Sequence, residues 1–205
     1  SLAPHITKTN YQSFLYMILT THLSEVHNED CMIGMARYPD KYFDLAVVDP
    51  PYGINAHALQ PTSDTFRRST GRSKSKRLNG VGGKLKNRFL NKSEIGWDSA
   101  VPDLEYFLEL KRISKNQIIW GGNYFELPPT RCVVVWDKCQ PWENFSQIEM
   151  AWTSFDFPAK LYKIDPKQLR DKIHPTQKPV ELYDKTYTDF LPQGGKVIDT
   201  HLGSG

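Results

Sequence analysis

Four consecutive residues, Asp49-Pro50-Pro51-Tyr52, bring a carboxylate, two backbone carbonyls and an aromatic ring together directly after the apolar run 45–48. An aliphatic run that two prolines close predicts a buried strand with an abrupt end. Because Pro50 and Pro51 have a fixed φ and no N–H, the loop after the strand is stiff and cannot pair onward. In open α/β sheets ligands bind at the carboxyl ends of strands, so this loop is a candidate binding site. A proline-rich turn with a surface aspartate and a packed tyrosine is the alternative interpretation.

Two later segments also have the composition of binding loops. Residues 174–179 have the sequence HPTQKP and open a helix that Thr176 can cap. Near the end of the chain, a strand that ends in Asp199 precedes a glycine loop, Gly203-Ser204-Gly205. Such a loop lets the backbone approach a nucleotide-like ligand closely. The glycine loop alone is a weak signal of such a binding site. The order DPPY, HPTQKP, strand and GSG is a strong signal of one.

The elements that must position these segments alternate between strands and helices. This alternation predicts an α/β sheet. Leu104, Phe107 and Leu108 are expected to form one face of a helix that begins near Pro102. We predict strands at 25–28, 44–48, 116–120, 132–136, 148–152 and 196–199, helices at 11–23, from 102 and at 180–190, and a helical turn at 32–37; residues 158–170 are ambiguous and could include a short strand.

The charge distribution separates one segment from the rest of the chain. Residues 66–92 contain ten cations and no acid, which leaves 16 cations against 23 acids elsewhere in the 205 residues. One part of an otherwise acidic protein is therefore suited to a polyanion. We expect residues 54–95 to form a basic, flexible, partly disordered insertion in a single domain, 3–205. Its cations are Arg67, Arg68, Arg72, Lys74, Lys76, Arg77, Lys84, Lys86, Arg88 and Lys92.

The sequence also indicates in which cellular compartment the protein is expected. The apolar run at residues 14–19 is too short to span a bilayer and lacks the flanks of a signal peptide. The three cysteines, Cys31, Cys132 and Cys139, have neither zinc-site nor disulfide spacing. We therefore expect a cytoplasmic protein without a membrane or metal partner.

The order of the three motifs resembles that of the S-adenosylmethionine-dependent amino DNA methyltransferases of the permuted β class. The resemblance extends from about residue 30 to residue 205, and the segments 119–123 and 136–138 are similar to a phage- or mobile-element-borne branch. It implies a Rossmann-like methyltransferase fold, with a mixed, mostly parallel, twisted sheet, helices on both faces and a circularly permuted motif order. It also implies that the protein transfers a methyl group to the N6 amine of adenine in double-stranded DNA, which nine cations of the basic insertion, at residues 67–88, are expected to bind.

The resemblance also implies a role for each matching residue. Asp49 and the carbonyl of Pro50 accept hydrogen bonds from the target amine, Pro51 stiffens the corner, and Tyr52 stacks on an extruded base. The residues expected at the cofactor are Asp30, Thr176, Lys178, Asp199, Gly203, Ser204 and Gly205. For Asp30, an ordinary acid in a turn is an equally good interpretation.

The chain departs from the family pattern at two places. Thr200-His201 stands where the family has Pro-Phe, although His201 still offers a flat ring. The helix and the acid-ending strand that follow the family's glycine loop have no counterpart, so we expect an incomplete domain with weak or no cofactor affinity. Open alternatives are a cytosine-N4 methyltransferase, a non-catalytic nucleic-acid-binding remnant, and methylation of a planar amine in RNA or protein. The sequence also leaves open the recognition site, a homodimer and a restriction endonuclease partner.

Overall fold

The computed structural model describes residues 24–54, 98–140, 146–166 and 177–203. These ranges contain three α-helices, six strands and a short 3-10 helix at Gly122–Tyr124. In chain order the elements are α1 (Cys31–Ala36), β1 (Phe43–Val48), α2 (Leu104–Ile113), β2 (Ser114–Trp120), β3 (Val133–Asp137), β4 (Ile148–Thr153), β5 (Lys160–Lys163), α3 (Val180–Phe190) and β6 (Val197–Ile198).

The six strands form one mixed sheet in the order β5-β3-β4-β2-β1-β6. Strand β1 is parallel to both β2 and β6, and β3 is parallel to β5. Strand β4 is antiparallel to β2 and β3. The carboxyl ends of β1, β2, β3 and β6 therefore lie at one edge of the sheet, together with the beginning of β4. The predicted α/β class and the mixed, mostly parallel sheet are confirmed.

Helices cover both faces of the sheet, as predicted. Leu45 and Val47 of β1 point to one face, where they belong to a buried cluster with Leu182 of α3. Ala46 and Val48 point to the other face, into a cluster with Leu110 of α2. Because side chains alternate along a strand, a strand that is covered on both sides must be apolar at nearly every position. This explains why the run before Asp49 has no polar residue.

The structure corrects two local predictions. Residues 25–28 are exposed and form no strand, since this short polar segment has no apolar face to bury. Helix α2 buries Tyr106, Leu110 and Ile113, whereas Leu104 and Leu108 are 67% and 58% exposed. The side chain of Asp103 caps this helix by accepting from the backbone N–H of Tyr106. Both sets of apolar residues on α2 have helical spacing. The set that ends in Ile113 is the one that packs on the sheet.

The remaining predicted elements are found within a residue or two of their expected bounds. The ambiguous segment contains β5, and the predicted helical turn is α1. The predicted helix at 11–23 and the basic insertion lie outside the described residues, apart from Ile54. No helix in the described ranges is long and apolar enough to cross a membrane, and the same ranges contain no His, Cys, Asp or Glu group that could hold a metal ion.

Candidate active site

A cavity of about 970 Å³ opens at the sheet edge where the carboxyl ends of the parallel strands meet. It brings together the loop after β1, the turn after β2, the beginning of α3 and the loop after β6. Asp49, Lys178 and Gly203, which are far apart in the sequence, all line it. The sequence-predicted site residues that line this cavity are Asp49, Pro50, Pro51, Tyr52, Lys178, Asp199 and Gly203.

The proline corner after β1 is held in place by a buried aspartate. Oδ1 of Asp98 accepts from the backbone N–H groups of Tyr52, at 2.6 Å, and Gly53, at 2.9 Å. Asp98 is only 1% exposed. Because the two prolines have no N–H, these are the first donors available after Asp49, and the carboxylate fixes both of them.

The carboxylate of Asp49 has two protein donors. The hydroxyl of Tyr52 donates to Oδ1 at 2.6 Å, and Nζ of Lys178 donates to Oδ2 at 2.5 Å. Burial, followed by the charges of Asp49 and Glu149, raises the pKa of Tyr52 far above its ordinary value. Tyr52 therefore remains a neutral phenol and a hydrogen-bond donor at any physiological pH.

The ring of Tyr52 is one half of a stacked aromatic pair. Its centroid lies 4.9 Å from that of Tyr124, with an angle of 13° between the planes. Gly121 lies against the same ring and has a φ of +69°. A Cβ added at Gly121 would lie 2.2 Å from Cε1 of Tyr52, so only glycine fits there. The turn after β2 thus presents a flat aromatic surface at the cavity.

Lys178 is the buried centre of a charge cluster whose other members are partly exposed. It is 7% exposed, and its Nζ lies 3.3 Å from Oε2 of Glu149 as well as 2.5 Å from Asp49. Oε1 of Glu149 pairs with Nζ of Lys138 at 2.5 Å. Burial alone would raise the pKa of Glu149, but the ammonium groups of Lys178 and Lys138 outweigh burial and hold that pKa below its ordinary value. Two acids and two cations therefore balance one another beside the cavity.

The loop after β6 places another acid, the partly exposed Asp199, in the same cavity. Burial raises the pKa of Asp199 to about 6, although the carboxylate accepts from the backbone N–H of His201 at 2.9 Å. Burial lowers the pKa of His201, so its ring is neutral at pH 7. The hydroxyl of Thr200 is hydrogen-bonded to that of Tyr106 at 2.7 Å. Thr200 and His201 thus attach this loop to α2 by polar contacts.

The surroundings of Asp199 suit a positively charged ligand. Partial burial raises the pKa of this carboxylate and disfavours its charged form, and a bound cation would offset that cost. The rings of Tyr183, Tyr187 and His201 line the cavity with it. A sulfonium or ammonium group among these rings would gain both an ion pair and cation–π attraction. The described residues therefore fit the cationic methionine end of S-adenosylmethionine.

Other predicted site residues have a different position. Asp30 does not line the cavity, and its side chain caps α1 by accepting from the backbone N–H groups of Met32 and Ile33. This contact supports the interpretation of Asp30 as an ordinary acid at a turn. Thr176, Ser204, Gly205 and the nine predicted DNA-binding cations of residues 67–88 lie outside the described residues.

Sequence reasoning missed several residues of the site. The sequence did contain a signal for Glu149, because an acid inside an apolar strand needs a partner wherever the fold buries it. The Gly-Gly pair at residues 121 and 122 directly follows the correctly predicted strand β2. The contact of Gly121 with Tyr52 could not be predicted, because it depends on tertiary structure. Asp98 and Tyr124 belong to no motif and had no such signal.

Two comparisons with known proteins found no relative. No protein-family model matches the chain, and no curated protein matches it. The support for a function therefore lies in the geometry of the cavity and in the motif order.

Proposed function

We propose that this protein transfers a methyl group from S-adenosylmethionine to the exocyclic N6 amine of adenine in DNA. The observation that carries the proposal is the shared cavity of Asp49, in its stiff proline corner, and Asp199, among aromatic rings. The first acid suits an amine acceptor and the second suits a cationic methyl donor. The resemblance in motif order assigns both acids to the same methyl-transfer reaction.

The proline corner supplies the acceptors that such a reaction needs. The amine of adenine is a poor nucleophile because its lone pair is delocalised into the ring. Hydrogen bonds from its two hydrogens to Asp49 and to the carbonyl of Pro50 would favour a tetrahedral nitrogen and free that lone pair. They would also stabilise the positive charge that develops on the nitrogen during transfer.

The ring of Tyr52 supplies a stacking surface for a planar base. Tyr124 is stacked on this ring, and Tyr52 also lines the cavity, so we expect a base to contact the part of the ring that faces the cavity. A base that has left the duplex loses its stacking neighbours, and an aromatic side chain replaces part of that lost energy. Tyr52 therefore orients the base while Asp49 and Pro50 engage its amine.

The cofactor would bring a methyl group activated by a sulfonium. Asp199 would pair with a positive charge of the cofactor, and Tyr183, Tyr187 and His201 would surround that charge and exclude water. Gly203, which has a φ of +68°, lies in the loop after β6 and lines the same cavity. Thr176, Ser204 and Gly205 are proposed for this site on the resemblance alone. The main task of these side chains is positioning, since in-line displacement needs little acid–base assistance.

Product analysis tests the proposal directly. Protein expressed from its complete reading frame is incubated with unmethylated plasmid DNA and methyl-labelled S-adenosylmethionine, and the nucleosides are separated after digestion. We expect label in N6-methyladenine and none in an RNA substrate. Label in N4-methylcytosine would move the assignment to the cytosine class. DNA binding without any transfer would favour a non-catalytic nucleic-acid-binding protein.

A further inference from the structure

The acceptor that the proposed reaction requires is already engaged within the protein. Both oxygens of Asp49 have donors, Tyr52 on one side and Lys178 on the other. Each carboxylate oxygen can accept a second hydrogen bond, but an amine that gains positive charge during transfer would compete with the neighbouring ammonium of Lys178 for the charge of Asp49. Tyr52 is held by its stack on Tyr124, so Lys178 is the donor whose contact with Asp49 can be exchanged.

Lys178 cannot simply leave Asp49. Its side chain is 3% exposed, and an ammonium that loses its counter-charge in a buried site carries a large penalty. Release from Asp49 therefore requires a second carboxylate within reach. The geometry provides one: Oε2 of Glu149 lies 3.3 Å from Nζ of Lys178.

Glu149 has one oxygen ready for this exchange. Its Oε1 is paired with Lys138, while its buried Oε2 makes the longer 3.3 Å ion pair with Lys178 but no well-aligned hydrogen bond within the described residues. A shift of Nζ by less than about 1 Å would turn the 3.3 Å approach into a normal hydrogen bond. Lys138 and strand β4 hold the carboxylate in place, so the lysine is the group that moves.

We propose that Glu149 is a positioning residue that receives the Lys178 ammonium when a substrate amine engages Asp49. This inference rests on the proposed function and goes beyond it, because it names how the acceptor becomes available. The cluster of Asp49, Glu149, Lys178 and Lys138 keeps the same formal charge before and after the exchange. The substrate amine then takes the place of the ammonium without leaving a buried charge unpaired.

The test compares Glu149→Gln in two backgrounds. Glutamine keeps the shape of Glu149 but removes the charge that attracts Lys178, so the ammonium stays on Asp49 and obstructs the amine. In otherwise wild-type protein, KM for plasmid DNA should rise at least about tenfold, with kcat changed less than threefold. In a Lys178→Met background, where no ammonium competes, adding Glu149→Gln should leave KM unchanged. Glu126→Gln, at an exposed position, is the matched control and should behave as wild type.

The outcomes separate this inference from the proposed function. If wild-type protein transfers no methyl group, the proposed function fails, and the exchange fails with it. If wild-type protein is active but Glu149→Gln leaves KM unchanged, or raises it equally in the Lys178→Met background, only the exchange is overturned. Urea unfolding of each variant identifies a merely structural role: Glu149→Gln would then lower the unfolding midpoint and kcat without the selective change in KM.

Discussion

At the scale of single residues, the site depends on where two carboxylates are placed. Asp49 is fixed by a proline corner that the buried Asp98 holds through two backbone N–H groups. Asp199 lines the cavity with several aromatic rings, and desolvation raises its pKa to about 6. The same residue type is thus an amine acceptor at one place and a partner for a cation at the other, because the surroundings differ.

The pKa of Asp199 predicts a specific dependence of stability on pH. Since burial raises this pKa from 3.8 to about 6, the folded protein binds the proton more tightly than the unfolded chain. The resulting stability is complete below about pH 3.8 and is lost as the pH rises through about 6. Asp199→Asn cannot ionise, so its free energy of unfolding relative to wild type should increase by about 2–3 kcal/mol between low pH and pH 7.5.

Urea unfolding of both proteins from below about pH 3.8 up to pH 7.5 measures this difference. A difference that stays constant across this range would show that Asp199 ionises as it does in the unfolded chain. The measurement is made without cofactor, because a bound cation would stabilise the carboxylate and reverse the trend.

Gly121 predicts a contact that can be separated from backbone strain. Gly121 and Gly194 have φ values of +69° and +72°, but only Gly121 lies against another residue. Gly194→Ala should therefore cost about 1–2 kcal/mol from the backbone alone. Gly121→Ala should cost more, about 3–4 kcal/mol, and should also displace the ring of Tyr52. Equal losses in the two variants, measured by urea unfolding, would show that the contact with Tyr52 does not matter.

The residues of the site were predictable to different degrees. Asp49, Tyr52, Lys178 and Asp199 stand in motifs, so the sequence indicated them before any contact was known. The position of Lys178 differs from expectation, because its ammonium reaches Asp49 although its motif was assigned to the cofactor. Glu149 and Tyr124 are assembled by strand pairing and turn geometry, which a local pattern does not contain.

At the scale of elements, β1 determines the position of the site. It pairs with β2 and β6 in parallel, so three loops begin at the same edge of the sheet. The apolar run and the two prolines made β1 easy to predict. The phase of α2 was not predictable, because two of its stripes are apolar and only packing on the sheet selects between them.

Two leucines of α2 test which stripe is buried. Leu110 is fully buried and Leu108 is 58% exposed. Leu110→Ala should lower the free energy of unfolding by about 2–5 kcal/mol, through lost burial and an incompletely filled cavity. Leu108→Ala on the same helix should change it by at most about 0.5 kcal/mol. Similar losses for both, measured by urea unfolding, would contradict the assigned helix phase.

At the scale of the whole molecule, the charge distribution predicts how DNA would be bound. The ten cations of residues 66–92 stand in a chain that is otherwise acidic. If about six of them reach phosphates, the logarithm of DNA affinity should fall with the logarithm of salt concentration with a slope of roughly −5. This slope is measured by fluorescence anisotropy with labelled duplex DNA at salt concentrations from about 50 to about 200 mM.

Variants inside and outside the basic segment locate the interface. Changing Arg67, Arg68 and Arg72 together to Gln should make the slope less steep by up to about 3. Lys185→Gln, which removes an exposed cation paired with Glu181 on α3, should leave it unchanged. A wild-type slope near zero would remove the segment from the DNA interface.

The most direct test of the account is methyl transfer to DNA by Asp49→Ala. The protein from the complete reading frame is assayed with labelled S-adenosylmethionine, and Asp156→Ala, at an exposed site, serves as the matched control. We expect Asp49→Ala to lower kcat by a factor of about 100 or more, with DNA affinity within about threefold of wild type and normal circular dichroism. Transfer by Asp49→Ala at a rate close to that of wild type would contradict the assignment of Asp49 as the acceptor of the target amine.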